Sequence, residues 1–111
     1  MKKLIEELGR VQALDAPAER DLTVQKLADD GLRTIMAVTL KNGAIIARHK
    51  AADPITVLCI GGSGEFSAGP EMSETVALLP GSLISLDGNI DHEVKALPEL
   101  QIVVTKYKNA S

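Results

Sequence analysis

The sequence predicts an all-β protein, an antiparallel sandwich or barrel, on three observations. From Leu22 onward, turn-forming glycine, proline, asparagine and aspartate residues recur roughly every 8–12 residues. The segments between these turns are short and rich in apolar residues. No long helical segment separates them, which favours direct antiparallel pairing of consecutive strands.

We expect two parts, an N-terminal arm over residues 1–21 and a single barrel domain over residues 22–111. A chain of this length is long enough for one hydrophobic core but not for two. In the arm, Leu4, Ile5 and Leu8 share a helical face and predict one or two amphipathic helical turns over residues 2–8. So short a helix is not stable alone in water, so it should pack against the barrel.

Nine short strands are predicted in the barrel domain. They cover residues 22–27, 33–40, 44–49, 55–60, 65–67, 74–79, 83–86, 92–96 and 101–106. Asn42-Gly43 is a strong hairpin signal, because both residue types tolerate a left-handed backbone. Asp53-Pro54 and Pro80-Gly81 mark further bends. The glycine-rich segment 61–64 and the segment 97–99 are each expected to separate two strands.

The two histidines of the chain, His49 and His92, lie at a strand end or just after a turn. Side chains alternate between the faces of a strand, so His49 should share a face with Ile45 and Ala47. By the same rule, His92 lies on the apolar face of the strand 92–96, together with two apolar side chains. In a barrel, both imidazoles would then meet at one interior point, and neutral imidazole is a common metal ligand.

Two of the predicted strands indicate an interface with a second subunit. Residues 55–60 are apolar on both faces, and residues 34–40 nearly so, whereas a barrel wall with water outside should alternate apolar and polar side chains. The outside of these strands must therefore be covered. The N-terminal arm would cover part of it and a second subunit more, so we expect a homodimer.

Composition and charge narrow the partners and the location. Lys and Arg number 12 against 15 Asp and Glu, and a net charge of -3 argues against a nucleic-acid partner. No apolar run approaches the roughly 20 residues of a membrane-spanning helix, so no membrane partner is expected. The N-terminus does not resemble a secretory signal. The single cysteine, Cys59, fits a reducing compartment and is expected to fill the core, so we expect a cytoplasmic protein.

Each histidine follows a glycine and an apolar strand, an arrangement that resembles the small single-domain bacterial members of the cupin superfamily. The family's first motif is G-x5-H-x-H-x3,4-E-x6-G. The matching positions are Gly43, His49 and Gly62. The second histidine of the motif falls on Ala51, and its glutamate falls on Ile55 or Thr56.

The second motif of the family is G-x5-P-x-G-x2-H-x3-N. Gly81 and His92 match it, while its other three positions are occupied by Asp87, Asn89 and Ala96. Asn89 is a reasonable substitute for glycine, because asparagine tolerates a left-handed backbone. The resemblance covers about residues 33–106 and implies a double-stranded β-helix, also called a jelly-roll barrel.

The resemblance also implies a metal site, and here the motif is degenerate. Metal-dependent cupins hold their ion with both motif-one histidines, the glutamate and the motif-two histidine, of which only His49 and His92 remain. A catalytic metal site normally keeps at least three protein ligands. We expect a divalent metal (Zn, Fe, Mn or Ni) to bind weakly or not at all. Cys59 lies roughly 13 Å further along its strand than the missing glutamate, too far to complete the site.

Three functions are consistent with the sequence, and none assigns a catalytic residue. The first is a small-molecule-binding or accessory protein with a ligand in the barrel and an incomplete metal site. The second is a divalent-metal-dependent enzyme of the dioxygenase or isomerase type, using His49 and His92 with a non-standard ligand set. The third is a structural or regulatory module acting through an exposed face. With Phe66 and Tyr107 as the only aromatic residues, a small aliphatic or polar ligand is favoured over a flat aromatic one.

Overall fold

A computed structural model describes residues 4–108, and within them the chain forms seven β-strands and one short 3-10 helix, Pro70–Met72. The strands are β1 (Leu22–Asp29), β2 (Arg33–Leu40), β3 (Ile45–His49), β4 (Ile55–Ala68), β5 (Glu74–Leu78), β6 (Leu83–Leu86) and β7 (His92–Tyr107). All strand pairs are antiparallel. The predicted all-β class is confirmed.

The two long strands β4 and β7 pair along most of their length and are shared by two walls. In the first wall, β1 and β2 continue the sheet beyond the second half of β7, and β6 lies beside the first half of β4. In the second wall, β3 lies beside the first half of β7, and β5 beside the second half of β4. Two walls that share long bent strands form the double-stranded β-helix that the sequence predicts.

The predicted breaks at residues 61–64 and 97–99 are wrong, because both segments are bends inside continuous strands. The β4–β7 register shifts between Cys59 and Gly61 and between Gly62 and Gly64. Gly62 has a φ of 69°, and a Cβ there would overlap the carbonyl oxygen of Glu99. The glycines let the two backbones approach closely and turn together from one wall to the other without losing their pairing.

The predicted N-terminal helical turn is also wrong for its described part, since residues 4–8 contain no helix, and residues 1–3 lie outside the described range. Leu4 and Ile5 are exposed, so the short helix would have nothing to pack against. The later part of the arm crosses the outside of the first wall instead. There the Leu14 side chain lies against Gly61, and Gln101 Nε2 donates a hydrogen bond to the carbonyl of Gln12.

The core lies between the two walls and is built from the inward faces of β2, β4, β5 and β7. Its fully buried large side chains are Leu40, Val57, Cys59, Leu78, Leu100 and Ile102. The described part of the chain contains no helix long and apolar enough to cross a membrane. The division of the chain at residue 21 stays a prediction.

Candidate binding pocket

A β-bulge turns the exposed side chain of His49, at the end of β3, toward the cavity of the barrel. Ile46 pairs with Val94, and His49 pairs with His92, so three steps along β3 face two steps along β7. The predicted common face of Ile45, Ala47 and His49 is therefore wrong. Ile46 packs against the core, whereas Ile45 is 50% exposed. The extra residue reverses the alternation of side chains and turns His49 inward at the end of the strand.

His92 follows the alternation that the sequence predicts. It is the first residue of β7 and is only 6% exposed, and Val94 and Ala96 are buried on the same face. The imidazole stacks on Phe66, with ring centroids 5.6 Å apart and an angle of 13° between the planes. Strand pairing and stacking together fix the position of this ring.

The two imidazoles lie side by side, as predicted. The ring centroids of His49 and His92 are 4.2 Å apart, with 60° between their planes. Nδ1 of His49 lies 2.9 Å from the carbonyl oxygen of Ala47, and Nδ1 of His92 lies 3.0 Å from that of Ile90. Because a carbonyl oxygen only accepts, each neutral ring carries its proton on Nδ1 and its lone pair on Nε2.

Both imidazoles line a cavity of about 110 Å³ inside the barrel. Its other lining residues are Met36, Ala51, Ile55, Val57, Phe66, Val94, Ile102, Val104 and Lys106. The lining residues are thus mainly aliphatic, with two histidines, one phenylalanine and one lysine. Described residues contribute no carboxylate to this lining.

Lys106 is the residue that sequence reasoning missed. It pairs with Ile55 of β4 and Thr34 of β2, near the end of β7. The signal was present, since Lys106 has the same parity as the buried Ile102 and Val104. Applying to strand 101–106 the rule applied to the histidine strands would have placed this lysine on the inner face.

The surroundings of His92 lower the pKa of its imidazole. Burial is the main cause that lowers the pKa of His92, and the nearby His49 and Lys106 lower it further. A hydrogen bond to the Ile90 carbonyl and the charge of Asp91 act in the opposite direction. The Asp91 carboxylate accepts a hydrogen bond from Arg48 at 2.9 Å, and this bond holds the pKa of Asp91 below its usual value.

The donor set does not fit the metal that the fold implies. Ala51 and Ile55, at the positions of two further ligands, do line the cavity, but they offer only alkyl groups. Among residues 4–108 no three His, Cys, Asp or Glu side chains are arranged to hold a metal ion. Cys59 is buried in the core and does not line the cavity, which excludes a His-Cys-His site. His49 and His92 as metal ligands stay a prediction.

The fold is that of small cupin domains, and two of the positions that hold metal ligands in that family carry alkyl side chains here, Ala51 and Ile55. Three solved structures show the same fold over nearly their whole length. A cupin superfamily protein from Desulfitobacterium hafniense has a TM-score of 0.77 at 11% identity, and the match covers 96% of this chain and 100% of that one. An RmlC-like cupin from Desulfovibrio desulfuricans has a TM-score of 0.75 at 17% identity, over 89% and 95% of the two chains.

A conserved protein of unknown function from Streptococcus pyogenes is similar over 98% of this chain and 100% of its own, with a TM-score of 0.76 and 18% identity. At these identities the likeness concerns the fold alone. No family model matches the sequence, and a search of curated proteins found no match. The expected cupin fold is confirmed, and a specific function is not assigned by these comparisons.

Proposed function

We propose that this protein is a small-molecule-binding or accessory cupin whose barrel cavity works without a resident metal. The observation that carries the proposal is the chemistry of the cavity lining. It holds two imidazoles and the ammonium of Lys106 in an aliphatic wall, without a carboxylate from the described residues. Such a lining suits a ligand better than a divalent cation.

The alternative, a metal-dependent dioxygenase or isomerase, is disfavoured by charge. Two neutral imidazoles would leave both charges of the ion uncompensated in an apolar cavity. The ammonium of Lys106 adds repulsion, because its charge already acts on His92.

The ligand should be small and mainly aliphatic. The cavity volume of about 110 Å³ corresponds to roughly four water molecules at ~30 Å³ each. Phe66 is the aromatic residue of the lining, and its ring is stacked on His92. A flat aromatic substrate would need more stacking surface than this wall offers.

The decisive experiment is elemental analysis of the purified protein, with His49→Ala and His92→Ala as variants. We expect far less than one Zn, Fe, Mn or Ni per chain, and melting temperatures that EDTA leaves unchanged. Asp53→Ala, a substitution outside the cavity lining, serves as the matched control for the preparation. About one metal per chain in the wild type, lost in His49→Ala but kept in the control, would overturn the proposal.

The proposal extends to assembly and location. A row of apolar side chains crosses the outside of the first wall, where Leu83 pairs with Leu58, Leu58 with Val103, and Val103 with Ala37. Leu83 is 67% exposed, and the arm crosses the wall at Gly61. This row supports a homodimer through the first wall. The single buried Cys59 supports a cytoplasmic location.

A further inference from the structure

We propose that the cavity binds a small organic anion, a monocarboxylate of about three or four carbons, whose carboxylate pairs with the ammonium of Lys106. The inference rests on the proposed function, since it names the ligand class of the same cavity. Three observations support it: the position of Lys106, the charges around this lysine, and the size and polarity of the cavity lining.

Lys106 is placed on the inner face by strand pairing. It lies on β7 with β2 and β4 on either side, where it pairs with Thr34 and Ile55. Its inward neighbours along the strand are Ile102 and Val104, both buried and both part of the lining. The lysine is half-buried and is part of the same largely alkyl lining. A charge in such surroundings gains more from a counter-ion than it would in water.

No described carboxylate meets this need. The ion pairs within residues 4–108 are Lys26–Asp29, Arg33–Asp30, Arg48–Asp91 and Lys108–Asp29, all of them outside the cavity lining. The polar neighbours of Lys106 in the cavity are His49 and His92, and an imidazole carries no negative charge in either of its protonation states. A bound anion would supply the missing charge, and an ammonium offers three donors to its oxygens.

The other residues of the cavity lining determine which kind of chain the carboxylate can carry. Met36, Val57 and Val94 present alkyl surface to the cavity, which favours an aliphatic chain over a second charged group. The volume of about 110 Å³ holds a carboxylate with about two or three further carbon atoms, at ~30 Å³ for a water-sized group. A dicarboxylate would bring a second charge to a cavity with one ammonium.

The test is titration with sodium propionate and sodium butyrate, followed by NMR of the methyl groups of Val57, Val94 and Ile102. Propionamide, which has nearly the same shape and no charge, is the ligand control. The variant is Lys106→Met, whose side chain matches lysine closely in length and can pack against the alkyl wall. The matched control is Lys95→Met on the same strand, because Lys95 is exposed and does not line the cavity.

We expect propionate or butyrate to shift the cavity methyl resonances at concentrations where propionamide does not. Lys106→Met should weaken this binding by about tenfold or more, and Lys95→Met by less than about twofold. Equal binding of propionamide, or undiminished binding of the acids to Lys106→Met, would overturn the anion assignment and leave a metal-free binding cavity standing. If none of the three compounds binds the wild type, the anion assignment fails, and the metal analysis then decides the proposed function separately.

Discussion

His92 connects the chemistry of one side chain to the stability of the whole barrel. Its ring is packed between His49 and Phe66 and is anchored through Nδ1 to the Ile90 carbonyl. Protonating the ring would place a charge beside the ammonium of Lys106 in an apolar cavity. The folded state therefore resists a proton that the unfolded chain accepts readily.

This difference predicts a loss of stability in mild acid. Because folding lowers the pKa of His92 from 6.5, the unfolded chain binds more protons as the pH falls below about that value. The contribution of the neutral His92 ring to the free energy of unfolding is complete above pH 6.5. It decreases as the pH falls toward the lower pKa of the folded state. We expect the melting temperature to fall between pH 8 and pH 5, and to fall less in His92→Asn, which keeps a donor near the position of Nδ1.

The acidic residues lose their stabilising contribution at a lower pH than His92 does, so the two effects on the melting temperature can be separated. Hydrogen bonds from Lys108 and Lys26 lower the pKa of Asp29 from 3.8 to about 2, and the pKa values of Asp30 and Asp91 are also lowered. Their contributions are complete above about pH 4 and are lost below it. An identical fall in melting temperature for wild type and His92→Asn between pH 8 and pH 5 would contradict the role given to His92.

At the scale of elements, the sequence predicts where strands run but not how they bend. Alternation and turn residues place β2 and β6 with the observed bounds, because strong turns flank both strands. The glycines of β4 were interpreted as a break, because glycine weakens a strand considered alone. Their role depends on the carbonyl groups of β7 that they approach, and these are about 35 residues away in sequence.

The site, like the strands, was predictable only in part. The spacing of motif residues brought His49 and His92 together, while simple alternation wrongly grouped His49 with Ile45 and Ala47, since a bulge leaves no clear mark in a short strand. The cavity also depends on Lys106, which no motif marks. Its position follows from the pairing of β7 with β2 and β4, a tertiary feature.

Because of the bend in β4, one methyl group added at Gly62 should strongly lower the stability of the protein. Gly62→Ala places a Cβ on the Glu99 carbonyl oxygen and requires alanine at a φ of 69°. We expect a loss of about 2 kcal/mol or more in the free energy of unfolding, measured by urea denaturation. Gly31→Ala is the matched control, because a Cβ there meets no atom within 4 Å. That variant should change stability by less than about 0.5 kcal/mol, and equal effects of the two substitutions would contradict this account.

At the scale of the whole molecule, the outer face of the first wall predicts self-association. The row from exposed Leu83 through half-buried Leu58 and Val103 is continuous in register across three strands, and it ends at Ala37 of β2, which is already buried. Burying such a row against a second copy removes apolar surface from water on both partners. An isologous dimer would bring the same row of each subunit together.

Light scattering at micromolar concentration tests this dimer. We expect the wild type to have twice the mass of one chain, and Leu83→Glu to shift the protein toward monomer, because a carboxylate would be buried in the interface. Val76→Glu is the matched control, since Val76 is an exposed apolar residue of β5 in the other wall. A wild-type monomer, or dissociation by both substitutions alike, would rule out this interface.

The arm across the first wall is held largely through its main chain. Gln101 Nε2 donates to the carbonyl of Gln12, and Lys41 Nζ donates to the carbonyl of Ala16. Every amino acid carries that carbonyl, so the identity of the residues at 12 and 16 is nearly irrelevant to these two bonds. Homologous chains can therefore vary at positions 12 and 16 while both hydrogen bonds are kept. Evolutionary constraint should concentrate on Gln101 and Lys41, the barrel residues that donate these bonds.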